Sequence, residues 1–274
     1  MKYLITGATG FLGKSFVEKL DDDNNQIMKI DLRSSYYGDI HNIESFNPDY
    51  IINFAAEIYK NEKMFKANVE YVSELLEYTK DIPYKKFIQI GSSSEYGYKK
   101  YPMSEDDVLS PRNMYESTKG MATLLCQGFS NTYSKPITVV RPFSVYGKNE
   151  KPHRFIPTLI QKFKEKSSIT ISEAVHDFIH IDDFIEGLFK ILNFENEGFD
   201  IVNLGTGNSY SNQQVYELIS EIFGYNIEVI KSVEKLRPFD TLTWSADIDK
   251  LISKYNYFPK TTLKQGLTKF INKL

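Results

Sequence analysis

The 274-residue sequence predicts an α/β protein, with a doubly wound parallel sheet and a smaller C-terminal lobe. Three observations support this fold class. Short runs rich in β-branched residues alternate with longer helical patterns through the first half, as is typical of βαβ crossovers. A glycine-rich turn follows the first of these runs. After Pro142 the alternation becomes irregular, which indicates a separate lobe.

The predicted elements follow this rhythm along the chain. In the first half, strands are expected at residues 2–6, 27–32, 50–56, 86–91 and 137–141, and helices at 11–20, 64–79 and 114–133. In the second half, helices are expected at 153–163, 183–192 and 212–223, and strands at 169–172, 178–181 and 202–207. The predicted domains are residues 1–145 with 176–193 for the large sheet, and residues 146–175 with 194–274 for the lobe.

Composition excludes several classes of protein. The formal net charge is −3, so the chain lacks the basic surface expected of a nucleic-acid binder. No apolar run approaches the roughly 18 residues that suggest a membrane span, and the first residues do not resemble a signal peptide. Cys126 is the single cysteine, so no disulfide can form within the chain. We therefore expect a cytoplasmic protein without a membrane or nucleic-acid partner.

The turn after the first predicted strand has the spacing G-x-x-G-x-x-G, at Gly7, Gly10 and Gly13. Gly7 permits a tight turn, Gly10 lets a diphosphate approach the backbone, and Gly13 lets the helix pack closely on the strand. The unpaired N–H groups and partial positive charge of the helix N-terminus favour phosphate. Because the glycines lie at the first strand–turn–helix of a βαβ unit, they predict a Rossmann dinucleotide site.

Asp31 follows the second predicted strand, about 20 residues after the glycines. An acidic residue at this position accepts hydrogen bonds from the adenosine ribose hydroxyls, which favours NAD over NADP. The alternative is an aspartate that caps a turn. Arg33 adds a second alternative, because it could contact the adenine or a 2′-phosphate.

Tyr115 and Lys119 lie four residues apart on a predicted helix, and therefore on one face. A nearby ammonium favours an ionised phenol, which brings the pKa of a tyrosine toward the working range of an acid–base catalyst. Upstream, a predicted strand ends in the hydroxyls of Ser92, Ser93 and Ser94. Ligands of such sheets bind at the carboxyl ends of the strands.

Taken together, these residues resemble the extended short-chain dehydrogenase/reductase family, and within it the NAD-dependent nucleotide-sugar epimerases and dehydratases. The resemblance covers almost the whole chain. Its motifs lie at residues 6–13, 38–40, 53–56, 68, 92–97, 115–119, 141–147, 176–183, 203–207 and 237–240.

The resemblance implies roles for individual residues. It implies that NAD contacts Gly7, Gly10, Phe11, Leu12, Gly13, Asp31, Leu32, Arg33, Asp39, Ile40, Phe54, Ala55, Ala56, Asn68, Tyr115, Lys119, Phe143 and Val145. It implies that catalysis uses Ser93, Tyr115, Lys119 and Glu95, and that a nucleotide-diphosphate sugar contacts Ser93, Ser144, His176 and Arg237. It implies no metal site.

Three departures from the family pattern fall on the substrate side. His176 replaces the usual arginine, Ser144 replaces the usual asparagine, and the interval between Ala56 and Asn68 is short. The segment before Tyr96 is also one residue shorter than usual. Ser92 therefore stays an alternative to Ser93 as the catalytic hydroxyl, and Glu95 could be an exposed or salt-bridged glutamate instead of a proton-transfer group.

We therefore expect an enzyme that oxidises C4 of a nucleotide sugar with bound NAD, after which the 4-keto sugar is epimerised, dehydrated or released. A 4-keto-sugar reductase and a C4 dehydrogenase are alternatives. A non-catalytic NAD sensor or scaffold is another, although it would need no serine, tyrosine and lysine set. The resemblance also implies a place in polysaccharide biosynthesis. It further implies a homodimer through the helices at 64–79 and 114–133, which could instead simply cover the sheet.

Overall fold

A computed structural model of the chain describes residues 1–21, 24–31, 41–231 and 243–273. Its contacts divide the chain into two compact units. The first unit contains residues 1–97, 105–142 and 188–203, and the second contains residues 98–104, 143–187 and 204–274. Among the described residues, no helix combines the length and the apolar character needed to cross a membrane.

The first unit is built on a six-stranded sheet with strand order β2-β1-β3-β4-β5-β9. The strands are β1 (Lys2–Thr6), β2 (Gln26–Ile30), β3 (Tyr50–Asn53), β4 (Lys86–Ile90), β5 (Ile137–Pro142) and β9 (Phe199–Leu204). The first five of these pair in parallel. The chain runs from β1 outward to β2 and then returns to the other side of β1 as β3. That reversal is the point at which open α/β sheets bind their ligands.

Helices follow the strands of this sheet. They are α1 (Phe11–Leu20), α2 (His41–Phe46), α3 (Asn61–Phe65), α4 (Tyr71–Thr79), α5 (Met114–Tyr133) and α7 (Ile181–Asn193), which continues from the second unit. Their apolar sides cover the sheet: Val72 and Leu75 of α4 and Cys126 of α5 join one core with Ile51 and Phe87. The predicted doubly wound parallel fold is confirmed.

The second unit contains a three-stranded sheet with the order β10-β8-β6, and a pair formed by β7 and β11. Its elements are β6 (Ser144–Tyr146), α6 (Phe155–Glu165), β7 (Ile169–Ile171), β8 (Val175–His180), β10 (Ser209–Ser211), α8 (Asn212–Phe223), β11 (Val229–Lys231), α9 (Asp249–Ser253) and α10 (Leu263–Ile271). Leu159, Phe163, Val215, Ile219 and Leu267 form its core.

Several local features differ from the sequence prediction. The helix expected from residue 64 begins at Asn61 and contains a π-helical segment, Lys66–Glu70, between α3 and α4. Strand β8 begins at Val175, before the predicted start at residue 178. Strand β9 begins at Phe199 and pairs into the large sheet, where Ile137 N donates to Gly198 O at 3.1 Å. Residues 194–203 therefore belong to the first unit and residues 176–187 to the second, a division that differs from the predicted one.

Candidate active site

The glycine turn between β1 and α1 is closely packed. Gly7 has φ +65°, and a Cβ added there would lie 2.5 Å from the backbone nitrogen of Ala55. A Cβ added to Gly13 would lie 2.3 Å from Gly7 O. Gly10 caps α1 without a side-chain hydrogen bond, and the first turn of α1 has no acidic residue. A helix N-terminus that follows a glycine turn and carries no acidic side chain fits the diphosphate of a dinucleotide.

Phe54 and Ala55 lie against this turn, and their contact with the cofactor stays a prediction. Phe54 N donates to Thr6 O at 3.1 Å. The segment that follows is fixed by Asn68, whose amide accepts from Glu57 N at 2.8 Å and donates to Glu57 O at 3.0 Å. Asn68 is buried and lies in the π-helical segment, so it is expected to position the loop around the cofactor.

A chain of hydrogen bonds crosses the carboxyl ends of three strands. Asn53 of β3 accepts from the Thr6 hydroxyl of β1 and donates to Gln89 Oε1 of β4 at 2.8 Å. Gln89 Nε2 donates to Ile90 O at 3.1 Å. The same carbonyl accepts from Lys119 Nζ at 2.5 Å. This series of hydrogen bonds therefore links the glycine turn to the predicted catalytic lysine.

Gln89 was not among the predicted site residues, and Asn53 was noted only as part of a motif. Both are almost fully buried. The signal that could have identified them is an amide residue directly after apolar residues of a strand, because a buried amide needs hydrogen-bond partners.

Helix α5 carries both Tyr115 and Lys119. The helix begins after Asn113, whose side chain accepts from Glu116 N at 3.0 Å. Tyr115 is half-buried. Lys119 is buried, and burial lowers the pKa of its ammonium to about 8, although the carboxylate of Glu95 opposes that shift. A lysine with this pKa can change its charge near physiological pH.

Beyond β4 the chain forms the serine turn, residues 92–97. The Ser92 hydroxyl accepts from Ser94 N at 3.2 Å and lies 2.6 Å from the Ser94 hydroxyl, so it caps the turn. Ser93 is the first residue of the single helical turn Ser93–Tyr96 and is largely buried. The capping role of Ser92 favours Ser93 over Ser92 as the catalytic hydroxyl, and that role stays a prediction.

The carboxylate of Glu95 lies where a substrate could not reach it to exchange a proton. Its side chain is fully buried, and Oε1 accepts from Ser92 N at 2.7 Å. Oε2 accepts from Thr123 Oγ1 at 2.8 Å and from Arg141 Nε at 2.9 Å. This geometry corrects the expectation that Glu95 exchanges protons with a sugar, because both oxygens already bind protein donors. It corresponds to the alternative, a salt-bridged glutamate.

The remaining predicted residues have varied locations. Asp31 directly follows β2 and is exposed. Leu32, Arg33, Asp39, Ile40 and Arg237 lie outside the described residues, so their predicted roles stay predictions. In the second unit, Ser144 on β6 and His176 on β8 lie on neighbouring strands. Buried Phe143 and Val145 flank Ser144.

Asp177, next to His176, is a buried residue that the sequence prediction did not assign to the site. Oδ1 accepts from Thr206 N at 2.9 Å and from the Thr206 hydroxyl at 2.6 Å. Oδ2 accepts from Gly207 N at 2.9 Å and Ala246 N at 3.1 Å. Burial raises the pKa of this carboxyl, while these four hydrogen bonds act in the opposite direction. Asp177 thereby joins the loop after β9 to the segment that begins at residue 243.

Comparison with known proteins identifies the family. The model of the NAD dependent epimerase/dehydratase family matches residues 3–205. The chain belongs to this family. The predicted family, its NAD-dependent nucleotide-sugar chemistry and the NAD cofactor are thus confirmed at the level of the family, whereas the roles of individual residues stay predictions.

Relatives and solved structures agree with this membership. A UDP-glucuronate 4-epimerase of Thermodesulfobacterium geofontis is 28% identical, with 98% of this chain and 95% of that protein covered. The low-salt glycan biosynthesis protein Agl12 of Haloferax volcanii is 27% identical, with 85% and 86% covered. The structure of UDP-glucuronic acid 4-epimerase from Bacillus cereus, in complex with UDP-glucuronic acid and NAD, superposes with a TM-score of 0.88 at 26% identity, with 99% and 98% covered.

Proposed function

We propose that this protein is an NAD-dependent 4-epimerase of a nucleotide sugar. One observation carries the choice of epimerase over dehydratase: the carboxylate of Glu95 is buried and bound to Ser92, Thr123 and Arg141. Elimination needs a group that takes the proton from C5, and Glu95 is not accessible for that task. Inversion at C4 needs only one acid–base group, because the proton and hydride that are removed return after the 4-keto sugar has turned its opposite face to the cofactor.

Tyr115 supplies that acid–base group in the proposed mechanism. Its phenol oxygen takes the proton of the C4 hydroxyl and gives it back to the 4-keto sugar. Bound NAD supplies the hydride acceptor for this oxidation and the donor for the return step. The Ser93 hydroxyl would hydrogen-bond the same sugar oxygen and hold C4 at the distance that proton transfer requires.

Lys119 keeps the phenol reactive. It follows Tyr115 by one helical turn, and its ammonium is held by Ile90 O. A positive charge beside the phenol favours phenolate and so lowers the free energy of proton removal. The hydrogen bonds that run from Thr6 through Asn53 and Gln89 end at the same carbonyl oxygen, Ile90 O. The sheet therefore orients the ammonium of Lys119.

A panel of nucleotide sugars tests the proposal. Purified protein with added NAD is incubated in D₂O with UDP-glucose, UDP-galactose, UDP-glucuronic acid and dTDP-glucose, and the products are followed by NMR. A C4 epimer without deuterium at C5 supports the proposal. Deuterium at C5 or a 6-deoxy product indicates a dehydratase, stoichiometric NADH indicates a C4 dehydrogenase, and no turnover of any sugar indicates a binding protein.

The proposal includes NAD over NADP as the cofactor. Asp31 follows β2 at the carboxyl edge, next to the strand that leads into the glycine turn. A carboxylate there accepts from ribose hydroxyls and repels a 2′-phosphate. Dissociation constants measured for both cofactors test this preference, and tighter binding of NADP would contradict it.

We also propose a cytoplasmic homodimer, formed through α5 and the helix before it. Val72, Leu75 and Leu76 cover the sheet, which agrees with the alternative that these helices simply cover it. Leu124 is different, because 60% of it is exposed, and Phe65, Met121 and Tyr133 are exposed as well. Light scattering at micromolar concentration should give the mass of a dimer, and Leu124→Glu should give a monomer. Val108→Glu, at an exposed position outside these helices, is the control. A monomeric wild type would contradict this part of the proposal.

A further inference from the structure

The partners of Glu95 belong to three different elements. Ser92 N lies at the start of the serine turn, Thr123 lies on α5, and Arg141 lies on β5. These contacts join a turn, a helix and a strand through one carboxylate.

The contact with α5 falls at a particular place on that helix. Tyr115, Lys119 and Thr123 are spaced by four residues, so they form one stripe along one face. Glu95 binds the third member of this stripe. The carboxylate therefore connects the turn that holds Ser93 with the helical face that holds the tyrosine and the lysine.

The local sequence makes room for this carboxylate. A Cβ added to Gly91 would lie 2.7 Å from Glu95 Oε1, 3.0 Å from Val139 Cγ1 and 3.3 Å from Arg141 Cγ. The main chain of Glu95 also holds the turn, because Ser110 N donates to Glu95 O at 3.2 Å. The guanidinium of Arg141 supplies the opposite charge and stacks over Tyr96, 4.4 Å from the ring centroid.

We propose that Glu95 is a positioning residue: its buried carboxylate sets the distance between the Ser93 hydroxyl and the Tyr115–Lys119 face of α5. The proposal rests on the proposed function, because it assigns a task to the site that carries out C4 chemistry. In this role Glu95 acts through Ser93 and α5 and never touches the sugar.

A matched pair of substitutions isolates the contact with the helix. Thr123→Val removes the hydroxyl that donates to Glu95. Thr138→Val removes a buried hydroxyl of β5 that has no hydrogen-bond partner among the described residues. Both variants exchange the same atoms in the interior of the first unit, so a general effect of the substitution appears in both. Glu95→Gln is the stronger variant, because an amide cannot accept at both former oxygen positions.

Amide hydrogen exchange tests the structural part without a substrate. Loss of one hydrogen bond of typical net strength, about 1 kcal/mol, corresponds to about fivefold faster exchange. We expect that change at residues 92–97 in Thr123→Val, a larger one in Glu95→Gln, and none in Thr138→Val. Equal exchange at residues 92–97 in Thr123→Val and Thr138→Val would overturn the proposal, even if Glu95→Gln does not fold.

A kinetic cycle tests the effect on catalysis, with the sugar that the panel identifies as substrate. Displacement of a reacting group by about 1 Å can cost up to about 100-fold in rate, so Thr123→Val should lower kcat about tenfold with little change in KM. In the Tyr115→Phe background the same change should cost less than about twofold, because effects within one functional unit are not additive. Equal losses in both backgrounds would overturn the positioning role. A wild type that turns over no sugar contradicts the proposed function, and hydrogen exchange then still decides whether Glu95 holds the turn.

Discussion

Two buried carboxylates hold loops at strand ends, one in each unit, and they do so by different means. Glu95 of the first unit pairs with the guanidinium of Arg141. Asp177 of the second unit has hydrogen bonds from three backbone N–H groups and one hydroxyl. The first arrangement depends on a second charged side chain, whereas the second depends mostly on the main chain.

This difference determines whether a second substitution can restore the stability that is lost when each carboxylate is mutated. A side-chain partner can be exchanged together with the carboxylate, but backbone N–H groups cannot be removed. The first arrangement also lies next to the predicted acid–base groups, so changes there should affect turnover as well as stability. The predictions below test this contrast, beginning with the largest expected effect.

Tyr115→Phe should separate chemistry from folding in the first unit. Loss of one positioned acid–base group typically lowers turnover by about 10²–10⁴-fold. The thermal midpoint and the NAD dissociation constant should stay near those of the wild type, because the phenyl ring keeps its place. Steady-state kinetics, calorimetry and cofactor titration measure the three quantities. Turnover within a few-fold of wild type would show that Tyr115 is not the acid–base group.

Glu95→Gln should be strongly destabilising because it leaves Arg141 as an uncompensated buried charge, a change that costs about 3–5 kcal/mol. A second substitution, Arg141→Met, should recover part of that loss, since it removes the uncompensated charge and leaves a buried amide as the remaining polar group. Urea unfolding of the single and double variants measures the recovery. A double variant as unstable as Glu95→Gln alone would show that the charge pair is not the source of the loss.

Lys119 should make activity and stability change in opposite directions with pH. Because burial lowers the pKa of the ammonium to about 8 from an ordinary value of 10.5, the lysine loses its charge as the pH rises through 8. Turnover should then fall by about tenfold per pH unit, since the phenolate loses its partner. Between pH 8 and 10.5 the unfolded chain binds more protons than the folded one, so this group's contribution to stability rises with pH. Lys119→Met should abolish that rise.

Asp177→Asn should cost less than the loss of the Glu95 pair, about 1–3 kcal/mol, because the new NH₂ group faces N–H donors that have lost an acceptor. No second substitution should repair it. Burial raises the pKa of Asp177 above its ordinary value of 3.8, so its contribution to stability is lost as the pH rises through the raised pKa. The cost of Asp177→Asn should therefore shrink over the same pH range. A cost that grows with pH in denaturant unfolding would contradict this prediction.

Gly128→Ala should have the smallest effect and the opposite sign. Gly128 lies in α5, and a Cβ added there meets nothing within 4 Å. Alanine should stabilise the helix by up to about 1 kcal/mol with turnover unchanged. Gly13→Ala is the contrast, because the added Cβ would meet Gly7 O. We expect it to weaken NAD binding, and equal effects of the two alanines in cofactor titration would show that the glycine turn is not closely packed.

Local pattern was enough to predict those parts of the fold that local physics determines. The strand Lys2–Thr6 and the helices Phe11–Leu20, Met114–Tyr133 and Asn212–Phe223 were predicted with the observed bounds. For the last two helices the apolar periodicity begins directly after a capping side chain, Asn113 or Ser211. The glycine turn was predicted because the three glycines lie at the first strand–turn–helix of a βαβ unit, between β1 and α1.

The contacts that depend on distant residues could not be predicted in this way. The π-helical segment is defined by Asn68 and its bonds to the loop at Glu57. The burial of Glu95 depends on Thr123 and Arg141, which lie 28 and 46 residues away in sequence. The place of β9 beside β5 depends on a return of the chain after α7. Pattern shows that a residue is polar, but not which distant donor will meet it.

The return of the chain to β9 has a consequence for synthesis on the ribosome. The first unit needs residues 188–203, so its sheet cannot be completed when residue 142 has emerged. Until residues 199–204 emerge and pair as β9, β5 is an open edge with the sequence Ile137-Thr138-Val139-Val140. Unpaired edges of this kind promote aggregation. At an elongation rate of about 5–20 residues per second, the edge waits for several seconds. We expect nascent chains stalled at residue 190 to bind a chaperone more than chains stalled beyond residue 240. The yield of chaperone crosslinked to the two kinds of stalled ribosome complex measures this difference.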